Sequence, residues 1–184
     1  MKNLLIPVII FLSLSAYAQK DKDKLLPPDL PRNEENNQVY YREVVTEVGA
    51  DKMELFKRAG NWYHDFYKNP VGIVEVIDSV SGKLILKPAF TVYRIKNNVK
   101  VMAGIVKYTL EIGFKDQKYR YEIMNINLQA SSYFPIEKLF NAGDPDIADN
   151  YHTLDEAGKY FNDLIEDLKA GLRQPSIKVK KDDW

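Results

Sequence analysis

The sequence predicts an α+β domain: an antiparallel sheet of about five strands with two helices on one face, in the order β-α-β-β-β-β-α. Three observations carry this expectation. Two stretches place apolar residues at helical spacing behind capping residues. Between them runs a long series rich in β-branched and aromatic residues, broken by short polar turns. The 184 residues are 45% hydrophobic and 12% aromatic, enough for one core and too few for two full domains.

Val39 to Val48, rich in Val, Tyr and Thr, reads as the first strand. Gly49-Ala50 breaks it. Asp51 stands three residues before Glu54, the spacing of a capping box. Behind it Leu55, Ala59, Trp62 and Phe66, widened by Phe56, Tyr63 and Tyr67, form the apolar stripe of a helix ending near Asn69-Pro70. Trp62 is the expected anchor of that helix on the sheet. Val71 to Asp78 is a strand, and Ser79 to Gly82 turns the chain. Lys83 to Lys96 is one bent strand or two short ones, because Pro88 cannot donate to a ladder. Asn97-Asn98 is a tight turn, since Asn tolerates positive φ. Val99 to Phe114, the polar corner Lys115–Lys118 and Tyr119 to Leu128 complete the antiparallel series. Residues 130–152 are irregular apart from a short helical turn at Ile136–Phe140. Thr153 and Glu156 read as a second capping box. The helix behind it carries Ala157, Tyr160, Phe161, Leu164 and Leu168, and stops before Gly171, read as its C-cap.

Some of these residues resemble a family. The pieces are Tyr40-x-x-x-Val44-Val45, the run from Leu55 through Ala59 to Asn61-Trp62, and Asp78 with Gly82-Lys83. Tyr108 and Lys115-Asp116 with Tyr119-Arg120-Tyr121 complete them. Over about residues 39–128 the chain resembles a family of exported Gram-negative bacterial proteins known as a domain of unknown function with a TATA-binding-protein-like fold. The resemblance implies a curved antiparallel sheet gripped by helices. It implies no activity and carries over no functional residues.

The first residues read as an address. Lys2 precedes an uncharged run from Leu4 to Leu14, followed by Ala16-Tyr17-Ala18 and Gln19, the pattern of a secretory signal peptide cut between Ala18 and Gln19. At ~1.5 Å per residue that run reaches about 16 Å, roughly half of the ~30 Å hydrocarbon layer, so an anchor is not expected. Residues 19–38, QKDKDKLLPPDLPRNEENNQ, are too charged and proline-rich to bury much surface and read as a disordered linker. Residues 39–172 then form the single domain, and 173–184 a charged tail. The expected location is the periplasm or the exterior, without a membrane span or lipid.

Composition narrows the chemistry. With no cysteine there is no disulfide, thiolate metal site or thiol nucleophile. Equal numbers of acids and bases, 26 each, remove the broad basic field of sequence-independent nucleic-acid binding. His64 and His152 are the only histidines, and their spacing suggests no shared metal. Asp144, Asp146 and Asp149 sit in GDPDIADN, but counting from Asp144 the glycine and closing glutamate of a calcium loop are replaced by Asp149 and Asp155. Ser131-Ser132 has no histidine beside it. Phosphate loops, dinucleotide turns and nucleophile elbows are all missing from the sequence. Expected are no catalytic residues, no metal and no cofactor. The remaining enzyme reading is a hydrolase in which Asp78, Glu111 and Glu122 converge with raised pKa in a cleft. A binding or interaction module of the envelope, its partner an envelope protein or an apolar ligand, fits the residues better. A structural accessory protein without a ligand is the alternative.

Turn arithmetic supplies a candidate surface. With Asn97-Asn98 as a two-residue turn and Phe114 opposite Tyr119, alternation places Tyr108, Leu110, Ile112, Phe114, Tyr119, Tyr121 and Ile123 on the helix face. Phe90, Val92, Ala103, Ile105, Ile126 and Leu128 then collect on the other face, an apolar patch of the kind that binds partners. A bulge near Gly104 or Asn125 would re-phase the strands and dissolve it. The same register sets Glu111 against Glu122, a like-charge pair that counts against it.

Overall fold

The structure is a computed structural model that describes residues 25–96, 98–129 and 133–176. The expected signal peptide with its cut at Ala18/Gln19, Asn97, Ser131-Ser132 and residues 177–184 lie outside the described residues. The elements run β1 (Tyr41–Thr46), α1 (Lys52–Tyr67), β2 (Val74–Asp78), β3 (Lys83–Leu86), β4 (Ala89–Lys96), β5 (Val99–Lys115), β6 (Lys118–Gln129) and β7 (Tyr133–Pro135). A 3₁₀ turn (Ile136–Phe140) and α2 (Ile147–Arg173) follow.

All seven strands form one antiparallel sheet. Its centre is the β5–β6 hairpin. On one flank β1 and β7 pair different ends of β6. On the other, β3 and β4 pair different ends of β5, and β2 lies beyond β3. Pro88 divides β3 from β4 without changing the register: Leu86 faces Leu110 and Ala89 faces Lys107, so the two behave as one strand with an interruption. Its missing N–H ends the ladder there, while its carbonyl still accepts from the Tyr108 N–H at 3.2 Å. Among the described residues the strand count is therefore seven rather than about five, through this split and the short β7.

Both helices cover one face. Leu55 and Ala59 of α1, and Leu154, Ala157, Phe161, Leu164, Leu168 and Leu172 of α2, are fully buried with Leu86, Leu110, Ile112 and Ile123 of the sheet. Each such aliphatic side chain stabilises the fold by ~1.5–3 kcal/mol before ordering costs. Asp51 caps α1 by accepting from the Glu54 N–H at 2.7 Å. Glu54 does not reach back to complete the box. It receives the N–H and hydroxyl of Ser176 at 2.8 and 2.6 Å, and its pairing with Arg58 holds the same carboxylate.

Three expectations need correcting. Residues 30–38 are not a disordered linker: Leu30 is buried and Arg32 bridges Val39, because Leu30 finds a place against Gly158 of α2. Second, α2 begins at Ile147 rather than behind Thr153, whose hydroxyl donates to the Asp149 carbonyl at 3.0 Å inside a helix already running. Third, Gly171 is no C-cap, since α2 continues to Arg173. A Cβ there would stand 2.6 Å from Cδ1 of Trp62, so the glycine permits close helix–helix contact. Trp62 accordingly anchors α1 to α2: its indole N–H donates to Asp167 at 2.8 Å.

Candidate functional site

Two bulges decide which side chains meet. The hairpin of β4 and β5 starts in the expected register, Lys96 facing Val99, with Asn98 at φ 60°. Between Met102 and Gly104 an extra residue, Ala103, shifts it by one, so that Val92 faces Gly104 and Phe90 faces Val106. On β6, Asn125 at φ 53° is the extra residue between the pairs Thr109–Met124 and Lys107–Asn127. These are the two places where the sequence allowed a bulge.

The expected outer patch is consequently not assembled. Phe90, Val92, Ile126 and Leu128 turn to the helix side, with Val92 and Ile126 almost fully buried. Ala103 occupies the bulge. Ile105, facing Thr91, alone of the paired residues stays on the outer face.

On the helix side, Phe90 and Val92 line a groove instead. β4 has a free edge, α2 lies beside it, and a cavity of about 510 Å³ opens between them, lined by Phe90, Val92, Tyr93, Lys100, His152 and Tyr160 among others. The rings of Phe90 and Tyr160 stack with centroids 3.7 Å apart and planes within 12°. Behind them three phenols form a chain: the Tyr108 hydroxyl lies 2.9 Å from that of Tyr67 and 3.0 Å from that of Tyr160. Burial, first of all, pushes all three phenol pKa values up, so the hydroxyls stay neutral. At the rim Arg94 pairs with Asp149, and Lys159 with Glu156 at 3.0 Å. The Nε2–H of His152 donates to the Tyr93 carbonyl at 2.9 Å.

The other candidates lie apart from this groove. His64 sits on α1 with its ring 4.4 Å from that of Tyr63. Among the described residues no three His, Cys, Asp or Glu side chains converge as a metal site requires. Asp144 accepts from the Asp146 N–H at 2.9 Å, an Asx turn into α2. Glu111 does face Glu122, but Lys83 pairs the first at 2.9 Å, and Arg42 and Arg120 pair the second at 3.2 Å each. Those cations compensate the like-charge contact. Asp78 accepts from Ser81 and Val80 in its turn, which lowers its pKa, the reverse of a tuned general acid.

The core, sheet register and two-helix cover place the chain among known folds. Residues 41–129 match the family model described as "Domain of unknown function (DUF4468) with TBP-like fold". Over that stretch the chain is similar to the DUF4468 family. The wider chain is similar to a TBP-like protein from Parabacteroides distasonis ATCC 8503, with 19% identity, a TM-score of 0.63, and 78% of this chain and 97% of that one covered. It is also similar to a DUF4468 family protein from Bacteroides ovatus ATCC 8483, with 11% identity, a TM-score of 0.60, and 83% and 93% covered. At these identities the likeness concerns the fold. No curated protein matches the sequence. The DUF4468 stretch contributes the β4 wall of the groove, whereas Tyr160 and His152 lie in α2, beyond it. Sequence reasoning took Tyr160 for ordinary core. The signal it missed is that a buried tyrosine needs a hydroxyl partner, and Tyr67 and Tyr108 were available.

Proposed function

We propose that the protein is a non-catalytic binding module of the cell envelope, exported by removal of residues 1–18 and taking its ligand in the groove between β4 and α2. One observation carries this reading: the Phe90–Tyr160 stack gives an apolar floor to a groove of about 510 Å³. Ligand sites fall in the ~300–1,000 Å³ range and combine an apolar lining with a few polar groups. Two of the groove's polar side chains are already engaged, His152 on a backbone carbonyl and Glu156 on Lys159, which favours binding over catalysis. The floor suits a flat apolar or aromatic group, and the rim charges suit a polar end.

Native mass spectrometry of protein isolated from its own cells tests this, comparing wild type with Phe90→Ala. The wild type should retain a compound that the variant loses while still melting as a folded domain. Equal retention by both, or a bare wild type, would remove the groove from the account.

A further inference from the structure

We propose that the outer face of the β4–β5 ribbon docks on an anionic lipid bilayer, with Tyr93, Ile95 and Met102 entering the headgroup region and Lys100 and Lys107 meeting lipid phosphates. This surface adjoins the groove, whose lining includes Tyr93, Ile95 and Lys100, and Phe90→Ala tells the two readings apart because Phe90 lies on the groove side alone.

The ribbon leaves the body of the sheet. Residues 99–105 of β5 pair with β4 alone, because β6 joins β5 only from Val106 onward. At ~3.4 Å per residue this is an arm of roughly 24 Å. Its cross-strand pairing sets Tyr93 beside Met102 and Ile95 beside Lys100 on the face opposite Val92 and Arg94. These side chains stay in solvent: Ile95 is 68% exposed, Met102 62% and Tyr93 42%, with Val99 at the tip 59%. An apolar two-stranded arm left bare invites edge-to-edge association, so its retention points to a partner.

Charge identifies that partner. Residues 79–110 contain six Lys or Arg and no Asp or Glu, in a chain whose acids and bases balance. Residues 144–167, on the helix side, contain eight acids and one lysine. The molecule is thus polarised, with the cationic arm opposite an acidic helix layer. An anionic surface would attract the first and repel the second, which fixes orientation as well as attraction. Arg94 is held by Asp149, Lys83 by Glu111 and Lys87 by Glu75, whereas Lys100 and Lys107 have no acidic partner among the described residues. The Lys100 ammonium rests over the Tyr93 ring, 4.3 Å from its centre. Tyrosine and lysine around aliphatic side chains are the composition of a bilayer interface. Two open strands cannot cross the hydrocarbon layer with their edges unpaired, so the arm lies on the surface.

Co-sedimentation of the protein, in the form its cells leave it, with vesicles of phosphatidylcholine alone or mixed with phosphatidylglycerol provides the test. Retention should require phosphatidylglycerol and fall with salt. Each lost cation should weaken it about fivefold, so Lys100→Gln and Lys107→Gln together should cost about twenty-five-fold. Ile95→Ser with Met102→Ser should weaken it by roughly tenfold at unchanged charge. All four positions are exposed, so melting should not move. Failure to bind, equal binding to phosphatidylcholine, or tighter binding to duplex DNA would overturn the proposal. So would sedimentation showing that the wild type pairs with itself through the arm and the variants do not, since a second copy would then cover it.

Discussion

Replacing Gly171 by alanine sets two effects of opposite sign against each other. Alanine is better than glycine in a helix by about 1 kcal/mol, less near a helix end such as this one. Against that, the new methyl would lie 2.6 Å from Cδ1 and 3.0 Å from Cβ and Cγ of Trp62. The indole cannot swing away freely. Its N–H is held by Asp167 at 2.8 Å, and its ring packs on Phe66 and Tyr67 at 5.4 and 6.0 Å between centroids. Overpacking of this kind costs ~1–3 kcal/mol. The clash should win by about 1–2 kcal/mol, lowering Tm by roughly 2–8 °C in a chain of this size. Gly158 provides the control. There a methyl would meet only Cδ2 of Leu30, at 2.7 Å, the far end of a flexible side chain in the N-terminal segment. Leu30 can rotate, so Gly158→Ala should leave Tm unchanged or raise it slightly. Scanning calorimetry of both variants measures the difference. If Gly171→Ala melts at or above wild type, the interhelical contact is not tight and the account of Gly171 fails.

Trp62→Ala should cost ~3–5 kcal/mol, a large share of the ~5–15 kcal/mol typical of a domain, and urea unfolding with a near-normal midpoint would contradict the anchoring role. Ser176's hydroxyl and N–H, with Arg58, hold the Glu54 carboxyl down to about 2. A lowered folded pKa stabilises above the ordinary carboxylate value and loses that stabilisation as pH falls through the folded one. The Tm gap between wild type and Glu54→Gln should therefore be full near pH 6 and close between about pH 4.5 and 2; a gap independent of pH would exclude this latch. Intact mass of the exported protein should begin at Gln19, and a species keeping Met1–Ala18 would refute the export reading.

Much of the fold was legible because local and tertiary preferences agree. The stripe Leu55-Ala59-Trp62, the cap Asp51 and the corner at Lys115–Lys118 are where the sequence places them. The failures share a cause: residues with a local use were taken up by distant contacts. Gly171 resembles a C-cap but accommodates an indole 109 positions earlier in the chain. Thr153 resembles a cap, yet Ile147 and Tyr151 already extend the apolar stripe upstream of it. The candidate patch failed through single-residue bulges, each of which inverts the facing of every residue beyond it. Their positions were readable, their occurrence was not, and with them the groove went unseen.

The phenol chain of Tyr67, Tyr108 and Tyr160 has a direction. Three hydroxyls own three protons, and the two links between them use two. The third proton projects from one end unless both ends donate to Tyr108, which would leave the proton of that buried hydroxyl unanswered. At Tyr67 it would point into the interior, where an unanswered donor costs ~1–3 kcal/mol. At Tyr160 it reaches the groove floor, where water or an occupant can accept it. Donation therefore runs outward, from Tyr67 through Tyr108 to Tyr160. Whatever settles on the ring stack meets an O–H pointing toward it, and gains most by answering with a lone pair.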